Sequence, residues 1–135
     1  MISVILITGG FVGGVGPLSS AEVLSEAGAP LCTLPPLPQA RVDHTQDGAL
    51  ACGGLGGGIH TYTTCDSFTE QGAWAQSHSL LGRRKDHSSW VSPAGLVLMG
   101  GWDHTDGGYT DNTTEIVSSS GDTSIRGFDM AHNTA

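Results

Sequence analysis

Val4-Ile-Leu-Ile-Thr-Gly-Gly10, Gly48-Ala-Leu-Ala-Cys-Gly-Gly54 and Gly95-Leu-Val-Leu-Met-Gly-Gly101 are three versions of one phrase. Each is a short strand-forming run that stops at a glycine pair. The first glycines stand at 9, 53 and 100, so the phrase returns after 44 and then 47 residues. A second marker precedes two of the runs: Arg41-x-x-His44 lies before Gly53-Gly54, and Arg84-x-x-His87 before Gly100-Gly101. The first run, ending at Gly9-Gly10, has no upstream room for it. A third marker follows the pairs, as Ala21-Glu22-Val-Leu24 in the first unit and Thr114-Glu115-Ile-Val117 in the third; the middle unit carries Cys65-Asp-Ser-Phe68 and Gly72-Ala-Trp74. A unit of this length built from short strands fits a four-stranded propeller blade. HEAT repeats have a similar length but need two helices, and no segment sustains a 3.6-residue period. Glycine suits the end of such a strand because it takes positive φ without steric cost, and a crowded axis favours residues with no side chain.

The composition agrees with many tight turns. Glycine numbers 21 in 135 residues, a length suited to one domain, and Lys85 is the single lysine. Lysine plus arginine total 5 against 13 acidic residues, giving a net charge of -8. That balance argues against nucleic acid and anionic membranes, which demand a basic footprint. Only 13% of residues are charged, so the chain is not a charge-rich disordered tail. No apolar run approaches the ~18 residues of a membrane helix. The opening stretch lacks a positively charged lead and reads as a strand rather than a signal peptide.

The residues Gly53-Gly54, Tyr62, Trp74 and Arg84-x-x-His87, in that order, resemble the Kelch repeat. The resemblance covers nearly the whole chain. It is best in the middle unit and weaker in the first, where Leu34 or Cys32 stands in place of the tryptophan. Cys32-Thr-Leu-Pro-Pro-Leu-Pro38 followed by Arg41-Val-Asp-His-Thr45 is similar to cysteine-bearing Kelch-like propellers of secreted invertebrate proteins. The resemblance implies an all-β fold, an incomplete Kelch-type β-propeller of about two and a half to three four-stranded antiparallel blades. The blades are expected at about 1-37, 38-80 and 81-130, the first lacking one strand. Propellers usually have roughly four to eight blades. A chain with so few is therefore expected to be a fragment of a larger propeller or to close by self-association, because repeat units bury their faces only against neighbours.

Cys52 ends a second strand and Cys65 begins a third, which places them on adjacent antiparallel strands. Their separation there suits a disulfide, with two buried free thiols as the alternative. Cys32 is then left over, and an odd cysteine in a secreted chain implies a missing partner. With the sequon Asn112-Thr-Thr114 as a glycosylation site, this favours a secreted location; a cytoplasmic one is the alternative. No Cys-x-x-Cys or Cys-x-x-His pair suggests zinc.

His44 and His87 occupy matching positions and are expected to bond a neighbouring blade's backbone. Arg41 and Arg84 read as repeated braces, with Glu22 and Glu115 as buried carboxylate partners able to accept a guanidinium bidentately. Trp74 belongs to the same structural set. Gly56-Gly-Gly58 lacks the Gly-Lys-Ser/Thr of a phosphate loop. Trp102, Asp103, His104, Asp106 and Tyr109 form the most polar and aromatic loop and are the candidate ligand residues. Their spacing does not match a calcium loop, and Ser88 and Ser89 beside His87 lack the Gly-x-Ser-x-Gly elbow. The expected function is therefore non-enzymatic: a scaffold whose loops engage a protein or glycan partner, without a cofactor. The enzymatic alternative is a piece of a galactose-oxidase-like copper enzyme, for which Tyr62, Tyr109 and six histidines give too little motif to assign ligands. A third reading is a truncated product without independent function.

Overall fold

The computed structural model describes residues 3–104, 109, 110, 112–118, 123–127, 129 and 130. Among these the fold is all-β, with one turn of 3-10 helix at Gly57–Ile59. The strands are β1 (Val4–Thr8), β2 (Phe11–Val12), β3 (Gly16–Pro17), β4 (Ala21–Ser25), β5 (Pro30–Leu34), β6 (Thr45–Asp47), β7 (Leu50–Cys52), β8 (Thr64–Phe68), β9 (Trp74–Ser79), β10 (Ser88–Ser92), β11 (Gly95–Met99), β12 (Trp102–Asp103), β13 (Tyr109–Thr110), β14 (Thr114–Val117) and β15 (Ser124–Arg126). They form three antiparallel meanders, ordered β1-β4-β5, β6-β7-β8-β9 and β10-β11-β14-β15. Two further hairpins, β2-β3 and β12-β13, sit inside the connections that follow the glycine pairs. Among the described residues the sheets do not close into a ring.

The three sheets are superposable in register. Ile7 pairs with Glu22, Ala51 with Asp66, and Leu98 with Glu115. Each acidic residue thus sits opposite the residue two before its first glycine. Cys52 pairs directly with Cys65 and is joined to it by a disulfide, with Cα atoms 4.2 Å apart. Cys32 is free and exposed.

Strand residues alternate between faces, and the core lies between the second and third sheets. Cys52, Cys65 and Leu80 pack there against Leu96, Leu98 and Val117. The opposite face of the third sheet carries the cross-strand row Trp90, Val97, Ile116, Ile125, whose outer members are about 60% exposed. On the first sheet, Thr8 points to the second sheet, whereas Ile5 and Ile7 remain exposed.

The glycine pairs owe their composition to this stacking. Each pair repeats nearly the same backbone, with φ of 66° and 110° at Gly9-Gly10, 66° and 93° at Gly53-Gly54, and 64° and 106° at Gly100-Gly101. A Cβ on Gly53 would stand 2.7 Å from the Arg84 carbonyl oxygen and 3.1 Å from His87 Cε1. The pair is therefore the seat on which the next Arg-x-x-His segment rests.

Candidate functional site

Each Arg-x-Asp-His segment ties two sheets together. Gly10 N donates to Arg41 O and Gly54 N to Arg84 O, both at 2.9 Å, which joins each segment to the preceding sheet. The guanidinium then reaches into its own sheet. Arg41 Nη1 donates to Gly53 O (2.7 Å) and Thr64 O (3.1 Å), and Nη2 donates to Thr64 Oγ1 (3.1 Å) and Asp66 Oδ2 (2.6 Å). Arg84 repeats the pattern with Gly100 O (2.8 Å), Thr113 O (3.3 Å) and Thr113 Oγ1 (2.9 Å), and its Nη2 lies 3.6 Å from Glu115 Oε2. Glu115 Oε1 also accepts from Leu81 N at 2.7 Å. Both arginines are at most 1% exposed. Burial pushes the Arg41 guanidinium down and the Asp66 carboxyl up, and each is opposed by the charge of the other. Arg41 also lies over the Tyr62 ring, 5.0 Å from its centroid.

The expected pairing of Arg41 with Glu22 is corrected. Glu22 is exposed, and Arg41 takes Asp66, the equivalent residue of its own sheet. The signal for Asp66 is in the spacing: it follows Gly53 at the same distance, 13 residues, as Glu22 follows Gly9.

The histidines are corrected in a smaller way: each bonds a threonine hydroxyl of the neighbouring repeat rather than its backbone. His44 Nε2 lies 3.0 Å from Thr8 Oγ1, and His87 Nε2 bonds Thr45 Oγ1. Around His44 the proton positions follow from the partners. Gln46 Nε2 must donate to Leu6 O (2.8 Å), so its Oε1 accepts the Thr8 hydroxyl proton and His44 Nε2 is left to donate to Thr8. His44 is thus the neutral Nε2–H tautomer. Burial and the nearby Arg41 hold its pKa down to about 4, and burial, Arg84 and His44 do the same for His87. Such groups are poor general bases near neutrality and good spacers between sheets.

At the same end, the connections after the glycine pairs lie side by side. His104 N donates to Thr61 Oγ1 at 2.8 Å, which joins the connections of the second and third sheets. Between the first and second runs an open groove of about 510 Å³, lined by Phe11, Pro17, Val42, Asp43, Leu55 and Gly56–Gly58. Phe11, on its first-sheet side, is exposed, as are Val12 and Val15 of the same hairpin. These apolar residues were not singled out by the sequence; the one available signal was a large apolar residue directly after a glycine pair. Asp43 and Asp86 take positive φ at 57° and 51°, and Asp86 N donates to Asp43 O at 3.1 Å. Lys85 Nζ lies 2.6 Å from Asp86 and 3.7 Å from Asp43.

Of the candidate ligand residues, Trp102 is half-buried, Asp103 is buried and His104 is exposed. The Trp102 and His104 rings lie 6.1 Å apart. Asp106 lies outside the described residues, and Tyr109 is placed on β13 opposite Asp103. Tyr62 donates its hydroxyl to Ala40 O at 3.2 Å. Among the described residues no three His, Cys, Asp or Glu side chains are grouped to hold a metal ion. Trp74 donates Nε1 to Pro35 O (2.8 Å) and packs edge-on against Phe68. Asn112 of the sequon is half-buried and donates Nδ2 to Met130 O at 3.2 Å. No helix among the described residues is long and apolar enough to cross a membrane.

No protein-family model matches the chain, and no curated protein matches it.

Proposed function

We propose that these sheets are Kelch-type propeller blades and that the chain is a non-enzymatic binding module whose glycine-pair loops engage a protein or glycan partner. The observation that carries this reading is the groove lined by Phe11, Pro17, Val42 and Leu55 beside Asp43. Exposed apolar residues clustered on short loops of a braced sheet scaffold are the usual form of a recognition surface. An aromatic ring beside an acceptor carboxylate suits a sugar face as well as a peptide. The repeated arginine brace supports the scaffold half of the reading, because it holds adjacent sheets in one relative position. The exposed rows at Ile5 and Ile7 and at Trp90 and Ile125 support further blades or self-association, since repeat faces are normally covered. The disulfide favours an oxidising, extracellular setting.

The test is a glycan array and a peptide-display selection, each run with the native chain, Phe11→Ala and Asp43→Asn, two changes in the lining of the groove. Ligands that bind the native chain and are lost in both variants support the reading. Ligands indifferent to both, or none at all, would sink it.

A further inference from the structure

We infer that the cleft between the first and second sheets is a binding site for a small, uncharged hydrophobic molecule. The cleft encloses about 550 Å³ and is lined by Val4, Leu6, Val23 and Leu34 on one side and by Ala49 and Phe68 on the other. That size is typical of small-molecule pockets. The cleft exists because two successive interfaces of the same design are filled differently. The third sheet closes on the second with Leu96, Leu98 and Val117, none more than 3% exposed. Counted from the glycine pairs, Ala49 stands where Leu96 does and Ala51 where Leu98 does. The second sheet therefore turns methyl groups toward the first where the third turns isobutyl groups toward the second. The first-sheet wall is not reduced in this way. Leu6 is the equivalent of Leu50, which packs against the closed cluster.

Among the described residues the first sheet has no counterpart of β6. β6 contributes no residue to the closed cluster between the second and third sheets, so this difference is not what opens the cleft. The missing volume belongs to Ala49 and Ala51, in the second sheet. The lining also defines the ligand. No charged side chain is among the lining residues, and Gln46 supplies the one polar side chain. Its amide is already engaged with the Thr8 hydroxyl, Leu6 O and Gly48 O. Water and ions therefore find no strong partner on these walls, whereas hydrocarbon placed there is removed from water. Phe68, packed edge-on against Trp74, offers an aromatic surface, and the indole is itself fixed by its bond to Pro35 O. The cleft shares no lining residue with the loop groove and does not depend on the reading given to that groove.

The probes are toluene, benzoate and benzylamine, which share one ring and differ in charge, each titrated into the isotope-labelled chain at pH 7. Toluene should give saturable NMR shifts centred on the amides of Val4, Leu6, Val23, Ala49 and Phe68. Benzoate and benzylamine should bind roughly tenfold more weakly or worse, because each must bring a charge against apolar walls. Ala49→Leu alters an exposed residue and supplies the side chain that the third sheet carries. It should weaken toluene by roughly tenfold or more and unfold no earlier than the native chain. Val4→Asp, an exposed position on the opposite wall, should weaken it likewise. Trp90→Ala, on the far face of the third sheet, should bind toluene as the native chain does. Absence of saturable shifts up to the solubility of toluene, shifts centred elsewhere, or binding undiminished in both Ala49→Leu and Val4→Asp overturns the site. Charged probes that bind as well as toluene overturn the class of ligand.

Discussion

Arg41 Nη2 lies 2.6 Å from Asp66 Oδ2 with both side chains buried, and the same arginine's carbonyl receives Gly10 N from the preceding sheet. One residue therefore joins two sheets and neutralises a buried carboxylate. Removing one partner of such a pair leaves an uncompensated charge, which typically costs about 3–5 kcal/mol. Arg41→Met should destabilise by that amount in chemical denaturation. Arg41→Met with Asp66→Leu should recover a large part of the loss.

The glycine pair should be intolerant where another segment rests on it. Gly53→Ala would combine positive φ with a 2.7 Å approach to Arg84 O, whereas a Cβ on Gly72, also at positive φ, meets nothing within 4 Å. The Gly72 change should cost about 1 kcal/mol, for backbone strain alone. The Gly53 change should cost more than twice as much, read as the difference in unfolding midpoint.

The disulfide and the free thiol should separate chemically. Cys52 and Cys65 are fully buried, and Cys32 is exposed. Under native conditions alkylation should label Cys32 alone, even with mild reductant present, as read by intact mass. Cys52→Ala with Cys65→Ala should lower stability by roughly 3 kcal/mol, the loss expected on opening a loop of this length.

Stability should fall with acid through the two histidines. Their folded pKa values are held at about 4, below the ordinary 6.5. Between these values the unfolded chain takes up protons that the folded chain does not. Their stabilising contribution is thus complete above pH 6.5 and is lost as pH falls toward 4. The slope reaches at most roughly 1.4 kcal/mol per pH unit per histidine. Denaturation midpoints at pH 7, 5.5 and 4.5 should show it, and His44→Gln with His87→Gln should flatten it; equal slopes would refute this origin.

The amino-acid order alone determined the all-β class and the repeat of short strands ending in Gly-Gly, and it set Cys52 and Cys65 on adjacent strands, where the structure joins them. These depend on local propensity and on spacing within a strand pair, where a period of two and a short connection set the register. The tertiary structure decided which acid each arginine meets. Glu22, Asp66 and Glu115 are equivalent in sequence, yet two are buried against arginines and one is exposed, because burial depends on which segment covers each sheet. It also decided that His44 bonds Thr8, a residue 36 positions away, and that Phe11 lines a groove with Val42 and Leu55. Contacts between sheets follow from stacking in space, and no local pattern in the chain encodes the distance across that gap.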